Sequence, residues 1–258
     1  SYGHTAIVRL NNGYGSVGTI PHSDEYASFA RRCANWVKRS RGCNIWLIGN
    51  EPNNPREHPE GQQITAERYA ECFNRVYEAI KEVQDNATVV PAAIDPTNAA
   101  MGDCREYFWS VLSDMDALDG IALHAYTHGP DPRLVVSDER FNHAPLTWQF
   151  YHFRMFEAFM EAIPVSLRHL PVYITEANHL FQTHEEDAGW VNQNEGWVWA
   201  MYQRVDEWNR RGEKQIHCAL LYRYPPIDAW VIRGKGLVIE DFQQSLSLRC
   251  RPYVRWRK

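Results

Sequence analysis

Short apolar runs rich in β-branched residues recur along this chain, and each is followed by a segment with helical spacing. Residues 5–10 read as a buried strand that ends at Asn11-Asn12-Gly13. Residues 24–38 read as a helix with Ser23 as its cap, its apolar positions Tyr26, Phe29, Ala30, Cys33, Trp36 and Val37 recurring at helical intervals. The alternation continues with strands at 45–49, 88–92, 120–124, 172–175 and 216–222. Between them helices are expected at 66–84, near 105–115, near 146–162 and at 190–211, with a last amphipathic segment after Phe242. Strands alternating with helices imply parallel strands joined by right-handed crossovers. Their uniformly apolar character implies a sheet covered on both faces.

Two α/β architectures meet that description. A doubly wound sheet calls for a Gly-rich phosphate turn after the first strand, and Asn11-Asn12-Gly13-Tyr14-Gly15 is not one. A TIM-type barrel calls for polar, chemically active residues at the C-terminal ends of strands. The sequence supplies them: Asn50-Glu51, His124 and Tyr126, Glu176, and Tyr222-Arg223-Tyr224. The expected fold is therefore a (β/α) barrel in a single domain over residues 1–258, with about six strands.

Composition narrows the function. A net charge of −5 and a pI near 6.1 give no reason to expect a nucleic acid or a membrane surface as partner. The basic tail (Arg249, Arg251, Arg255, Arg257, Lys258) reads as a solvated end. Ten Trp, thirteen Tyr and ten Phe are expected mostly in the core, but such faces also pack well on the apolar C–H faces of sugars. Six cysteines without a Cys-x-x-Cys pair argue against a zinc ribbon or thioredoxin-type site and read by default as buried thiols, with one or two bridges left open. No apolar run is long enough to span a membrane. The chain begins at Ser1, compatible with a removed leader, so the compartment stays open.

The sharpest signals are two carboxylates delivered by strands. Trp46-Leu47-Ile48-Gly49 runs directly into Asn50-Glu51-Pro52, and Val172-Tyr173-Ile174-Thr175 into Glu176. Glycoside hydrolysis needs such a pair, one protonated to release the leaving oxygen and one ionised to attack the anomeric carbon. With these motifs the chain resembles clan A of the glycoside hydrolases, eight-stranded barrels with an acid/base Glu in Asn-Glu-Pro after strand four and a nucleophile Glu ending strand seven. The resemblance implies a retaining β-glycosidase with Glu51 as acid/base and Glu176 as nucleophile. It implies Asn50 at a sugar hydroxyl, Tyr126 hydrogen-bonded to Glu176 beside His124, and an aromatic floor from Trp230 first, or Tyr222 or Tyr224. Asn11 is a further candidate for substrate contact, as are Asn12, Tyr14, His128, Asn178 and His179. On this alignment residues 5–10 are strand three, strands one and two are missing, and the open edge calls for a cover such as a second copy of the chain. No cofactor or metal is expected. His124, His128, His179 and the two glutamates leave a metal-dependent hydrolase as a rival, without HxH or HExxH spacing to support it. A carbohydrate-binding protein with weak or lost catalysis is the rival from outside the enzymes. A serine esterase lacks its Gly-x-Ser-x-Gly elbow.

Overall fold

The structure is a computed structural model that describes residues 4–182, 187–212, 216–228 and 230–248; the basic tail and Cys250 lie outside them. The chain divides into two compact units, Ser1–Leu123 with Glu161–Leu170, and His124–Met160 with Pro171–Lys258.

The first unit is built on three parallel strands, β1 (Ile7–Leu10), β2 (Ile45–Ile48) and β3 (Thr88–Pro91), in that spatial order. They run in step, with Ile7 beside Ile45 and Ile45 beside Thr88, so all three end level at Leu10, Ile48 and Pro91. A helix follows each strand: α1 (Tyr26–Arg39), α2 (Ala66–Val83) and α3 (Cys104–Ser113). In α1 the buried residues are Tyr26, Phe29, Ala30, Cys33, Ala34 and Val37, one face at three- and four-residue steps. In α2 the same stripe is Tyr69, Ala70, Phe73, Val76 and Ile80. Thr65 caps α2 by accepting the Arg68 N–H, and Asp103 caps α3 by accepting those of Arg105 and Glu106. Ser23 does not cap α1 as its sequence position suggests. Residues Ser23–Glu25 form a 3-10 turn, α1 begins at Tyr26 without a side-chain cap, and the Ser23 hydroxyl accepts instead from Gln62.

The second unit carries the sheet β4 (Ile121–His128), β5 (Val172–Gln182) and β6 (Asp187–Ala188), and β7 (Ile216–Leu221) also pairs with β5, parallel to it. The first residues of β4, Ile121–Leu123, are counted with the first unit. Its helices are α4 (Met155–Ala162), α5 (Trp197–Arg210) and α6 (Gly236–Ser245). Buried Asp241 of α6 accepts the Val198 and Trp199 N–H groups at the start of α5, so one helix caps another. Glu157 of α4 is buried between Arg154 and Arg204, two guanidinium partners for one carboxylate.

Several boundaries differ from the sequence pattern, each for a physical reason. The helix expected over 146–162 is confined to α4 because residues 139–151 pair with themselves. Phe141 N–H bonds Gln149 O, and Tyr151 N–H bonds Glu139 O. The helix expected from 190 begins only at Trp197, since Gly196 sits at φ +83°, a left-handed turn that a continuing helix excludes. The final helix spans Gly236–Ser245 rather than starting beyond Phe242. Strand β4 runs on to His128 and β5 to Gln182. Glu176 therefore lies inside β5 and not at its end, because Ala177 pairs with Leu221 and Phe181 with Ala188 beyond it.

One buried hydroxyl holds the ends of β2 and β3 together. Tyr69 is fully buried; its phenol donates to Ile48 O at 2.6 Å and accepts the Ala92 N–H at 2.6 Å. Tyr69→Phe leaves both backbone groups buried without that partner. It is expected to cost about 2 kcal/mol in urea unfolding; a change within experimental error would show that the bridge contributes nothing.

Candidate active site

Asn11, Asn50 and Glu51 belong to the first unit, and His124, Tyr126, Glu176, Tyr222 and Trp230 to the second.

At the tip of β2 the chain turns through Gly49 at φ +79°. Its lack of a side chain leaves room for the Thr19 hydroxyl, which would stand 3.2 Å from a Cβ there. That hydroxyl accepts the Asn50 N–H at 2.6 Å and donates to Asn11 Oδ1 at 3.4 Å. Asn11 Nδ2 is buried with no protein partner. The Asn50 amide is held from both sides, with Arg9 donating to Oδ1 at 2.6 Å and Nδ2 donating to Glu57 at 3.1 Å. Arg9 and Glu57 thereby fix which end of the amide is oxygen and leave one Nδ2 hydrogen uncommitted to this pair. Glu51 follows at φ +38°, the one positive-φ residue other than glycine among the described residues. A left-handed glutamate is a strained backbone that its surroundings must impose. Here Glu51 N–H bonds Ala93 O at 2.9 Å, Glu51 O accepts the Asn54 N–H at 2.8 Å, and Asn54 Nδ2 lies 3.4 Å from Oε2. Pro52, the Pro of the motif, is buried, and its carbonyl bonds His58 Nε2 at 2.8 Å.

In the second unit the strands bring three predicted residues together. Tyr126 donates to Glu176 Oε2 at 3.1 Å, and His124 Nδ1 lies 3.1 Å from the same phenol. A phenol has one proton. With that proton given to the carboxylate, His124 Nδ1 carries the hydrogen and donates to the Tyr126 oxygen. His124 Nε2 stands 3.8 Å from Glu176 Oε1. All three side chains are buried. The strand itself is irregular at this point. Between Ile174, opposite Ala219, and Ala177, opposite Leu221, β5 passes two residues against one on β7. Glu176 sits in this bulge, a device that re-aims a side chain and is over-represented beside active sites. Tyr222 and Trp230 are placed by backbone bonds: Tyr222 N–H to Ala177 O, and Arg223 N–H to Trp230 O, both at 3.0 Å. Trp230 is half-buried.

His128 and His179 are tied into structural contacts. His128 stacks on Tyr151 with ring centroids 3.8 Å apart and bonds the Tyr151 carbonyl. His179 packs against Trp190 and Trp197, and its Nε2 accepts the Val191 N–H at 2.9 Å, which leaves the hydrogen on a buried Nδ1 without a hydrogen-bond partner. Trp190 in turn donates to Tyr222 O at 2.6 Å. Trp190, Asn54 and Asp95 were not singled out by the sequence. The last two follow strand tips, and their polarity there was the available signal.

No family model matches the chain, and no curated protein matches it. Solved structures do. A family 39 glycoside hydrolase from Bacteroides cellulosilyticus WH2 matches with a TM-score of 0.51 at 18% identity, covering 86% of this chain and 44% of its own. AbfB, a family 51 α-L-arabinofuranosidase from Bifidobacterium longum, matches at 0.56 and 13% identity over 86% of this chain and 47% of its own. A GH128 oligosaccharide-binding protein from Cryptococcus neoformans matches at 0.51 and 12% identity, covering 95% of this chain and 80% of its own. The chain thus spans less than half the length of the first two. These likenesses show the fold, an α/β barrel of the TIM type.

Burial, with Lys235 as a lesser cause, pulls the His179 imidazole down from 6.5 to about 4. A histidine whose folded-state proton affinity is depressed stabilises the fold above its unfolded value and loses that contribution as pH falls. The window here is pH 6.5 to 4, and the full loss is about 3 kcal/mol. Thermal melting followed from pH 7.5 to 4.5 is expected to drop across this window, and His179→Gln to drop less; parallel curves would contradict the assignment.

Proposed function

We propose that the chain is a retaining glycoside hydrolase that cleaves β-glycosidic bonds of an oligo- or polysaccharide. The observation that carries this reading is the buried Glu176 carboxylate, presented by a strand bulge and held by the Tyr126 phenol beside His124. In the first step a Glu176 oxygen attacks the anomeric carbon as the glycosidic bond breaks, and Glu51 gives its proton to the departing oxygen. In the second, Glu51 takes a proton from water, the hydroxide oxygen bonds the anomeric carbon, and the bond to Glu176 breaks. The strained backbone of Glu51 supports a role beyond packing. Asn50, with one amide hydrogen left by Glu57, suits a sugar hydroxyl, and Asn11, Tyr222 and Trp230 are proposed to contact substrate. No step calls for a cofactor.

A carbohydrate-binding protein without turnover is the second reading. It is favoured by the likeness to an oligosaccharide-binding protein, four-fifths of whose length this chain covers. Aryl β-glucosides, β-xylosides and α-L-arabinofuranosides, the last suggested by the arabinofuranosidase likeness, separate the two. Turnover of at least one is expected. Glu176→Gln should lower kcat by roughly 10³-fold or more, and Glu51→Gln should lose activity that added azide restores. Oligosaccharide binding with no turnover of any of these would establish the second reading.

The same reading leaves β1 at a sheet edge, its four residues half-buried where those of β2 and β3 are mostly buried. We propose that a second copy of the chain covers it, since unpaired apolar edges recruit partners. Light scattering is expected to give a dimer with slow amide exchange over Ile7–Leu10. A monomer with fast exchange there would overturn this.

A further inference from the structure

We infer that Asn54 and Asp95 form a positioning pair that assigns different roles to the two oxygens of Glu51, an inference that rests on the proposed function. Asn54 lies three residues past Glu51, and its amide cannot flip freely. Its Oδ1 accepts the Arg56 N–H at 3.1 Å and so caps the 3-10 turn Pro55–Glu57. The Nδ2 group is left facing two carboxylates, Glu51 Oε2 at 3.4 Å and Asp95 Oδ2 at 3.3 Å. An amide nitrogen has two hydrogens, one for each.

Asp95 is itself fixed. Its N–H donates to Asn53 Oδ1 at 2.7 Å, and Asn53 Nδ2 returns a bond to Asp95 O at 2.9 Å. Asn53 is fully buried, so this reciprocal pair is shielded from water. Asp95 Oδ1 accepts from Thr97 twice, from the backbone at 2.9 Å and from the hydroxyl at 2.8 Å. The loop after β3 thus anchors the far end of the Asn54 amide, while the turn after β2 anchors its oxygen.

The consequence is chemical. An acid/base carboxyl alternates between protonated and ionised forms in every turnover. In the protonated form the carbonyl oxygen accepts better than the hydroxyl oxygen, so a donor at Oε2 favours the proton on Oε1. Asn54 therefore marks Oε1 as the oxygen that gives and takes the proton and keeps the carboxyl from rotating between the two. The bonds to Nδ2 are long in the free chain, as catalytic contacts often are before substrate tightens them.

Asn54→Asp is the informative substitution. It retains Oδ1 for the turn cap but replaces the donor group by a third acceptor between two carboxylates. Wild type, Asn54→Asp and Glu51→Gln would be assayed on a phenyl glycoside, whose leaving group needs protonation, and on the dinitrophenyl glycoside of the same sugar, which does not. Asn54→Asp is expected to lower kcat/KM on the phenyl glycoside by about 30-fold or more but by less than about threefold on the dinitrophenyl glycoside. The alkaline limb of its pH–rate profile should move upward, because an added negative charge favours the protonated acid. Asp95→Asn, which leaves the Asn54–Glu51 contact in place, should lose less than Asn54→Asp on the phenyl substrate. Equal losses on both leaving groups with an unmoved pH profile would reduce Asn54 to a turn cap and overturn the inference. If Glu51→Gln shows the leaving-group dependence and Asn54→Asp does not, the proposed function stands and this inference falls. If wild type turns over neither substrate, both fall.

Discussion

Where the ladder between β2 and β3 runs out, side chains take over the hydrogen bonding. The Tyr69 phenol spans Ile48 O and Ala92 N–H, the Thr19 hydroxyl receives Asn50 N–H, and Ala93 O receives Glu51 N–H. These buried groups have no water to turn to, so each must find a partner. The requirement fixes the path of the chain over three residues and forces Glu51 into the left-handed region. Everything proposed for this carboxyl, including its bond from Asn54, follows from a backbone whose polar groups had nowhere else to go.

The second unit solves the same problem differently. Its glutamate is not at a strand end but in the middle of an eleven-residue strand, and a bulge against β7 supplies the change of direction. The rigidity comes from neighbours on β4: His124 and Tyr126 are two residues apart, so they share one face of the strand and reach the same carboxylate. In the same unit His179 and Trp190 each pack edge to face on Trp197 and tilted against one another, and Trp190 ties this cluster to the backbone of Tyr222. An acid-sensitive imidazole thus sits in the packing that supports the aromatic end of β7.

Much of this was legible in the sequence. Apolar β-branched runs marked every parallel strand, and helical spacing located α1 and α2 almost to the residue, because both signals report burial and burial decides those elements. Asn50-Glu51-Pro52 and Thr175-Glu176 were readable because a charged residue beside an apolar strand has no packing explanation. Less was legible where competition between backbone partners decides the outcome. Residues 146–154 have helical apolar spacing, but Tyr151 N–H goes to Glu139 O and Gln149 O accepts the Phe141 N–H, and Gly196 delays α5 by seven residues. The bulge at Glu176 leaves no mark in composition, since it depends on register with β7. Asn54 and Asp95 are ordinary loop residues in the sequence, and only the fold brings one amide between two carboxylates.

The central claim is that Glu176 forms a covalent bond to sugar, and trapping tests it most directly. The chain would be incubated with a 2-deoxy-2-fluoro glycosyl fluoride of the sugar it turns over, digested, and mapped by mass spectrometry. The account predicts one fluoroglycosyl group per chain, attached to Glu176, and released as activity recovers. A label on any other residue, or continued turnover with no covalent adduct and inverted product, would contradict it.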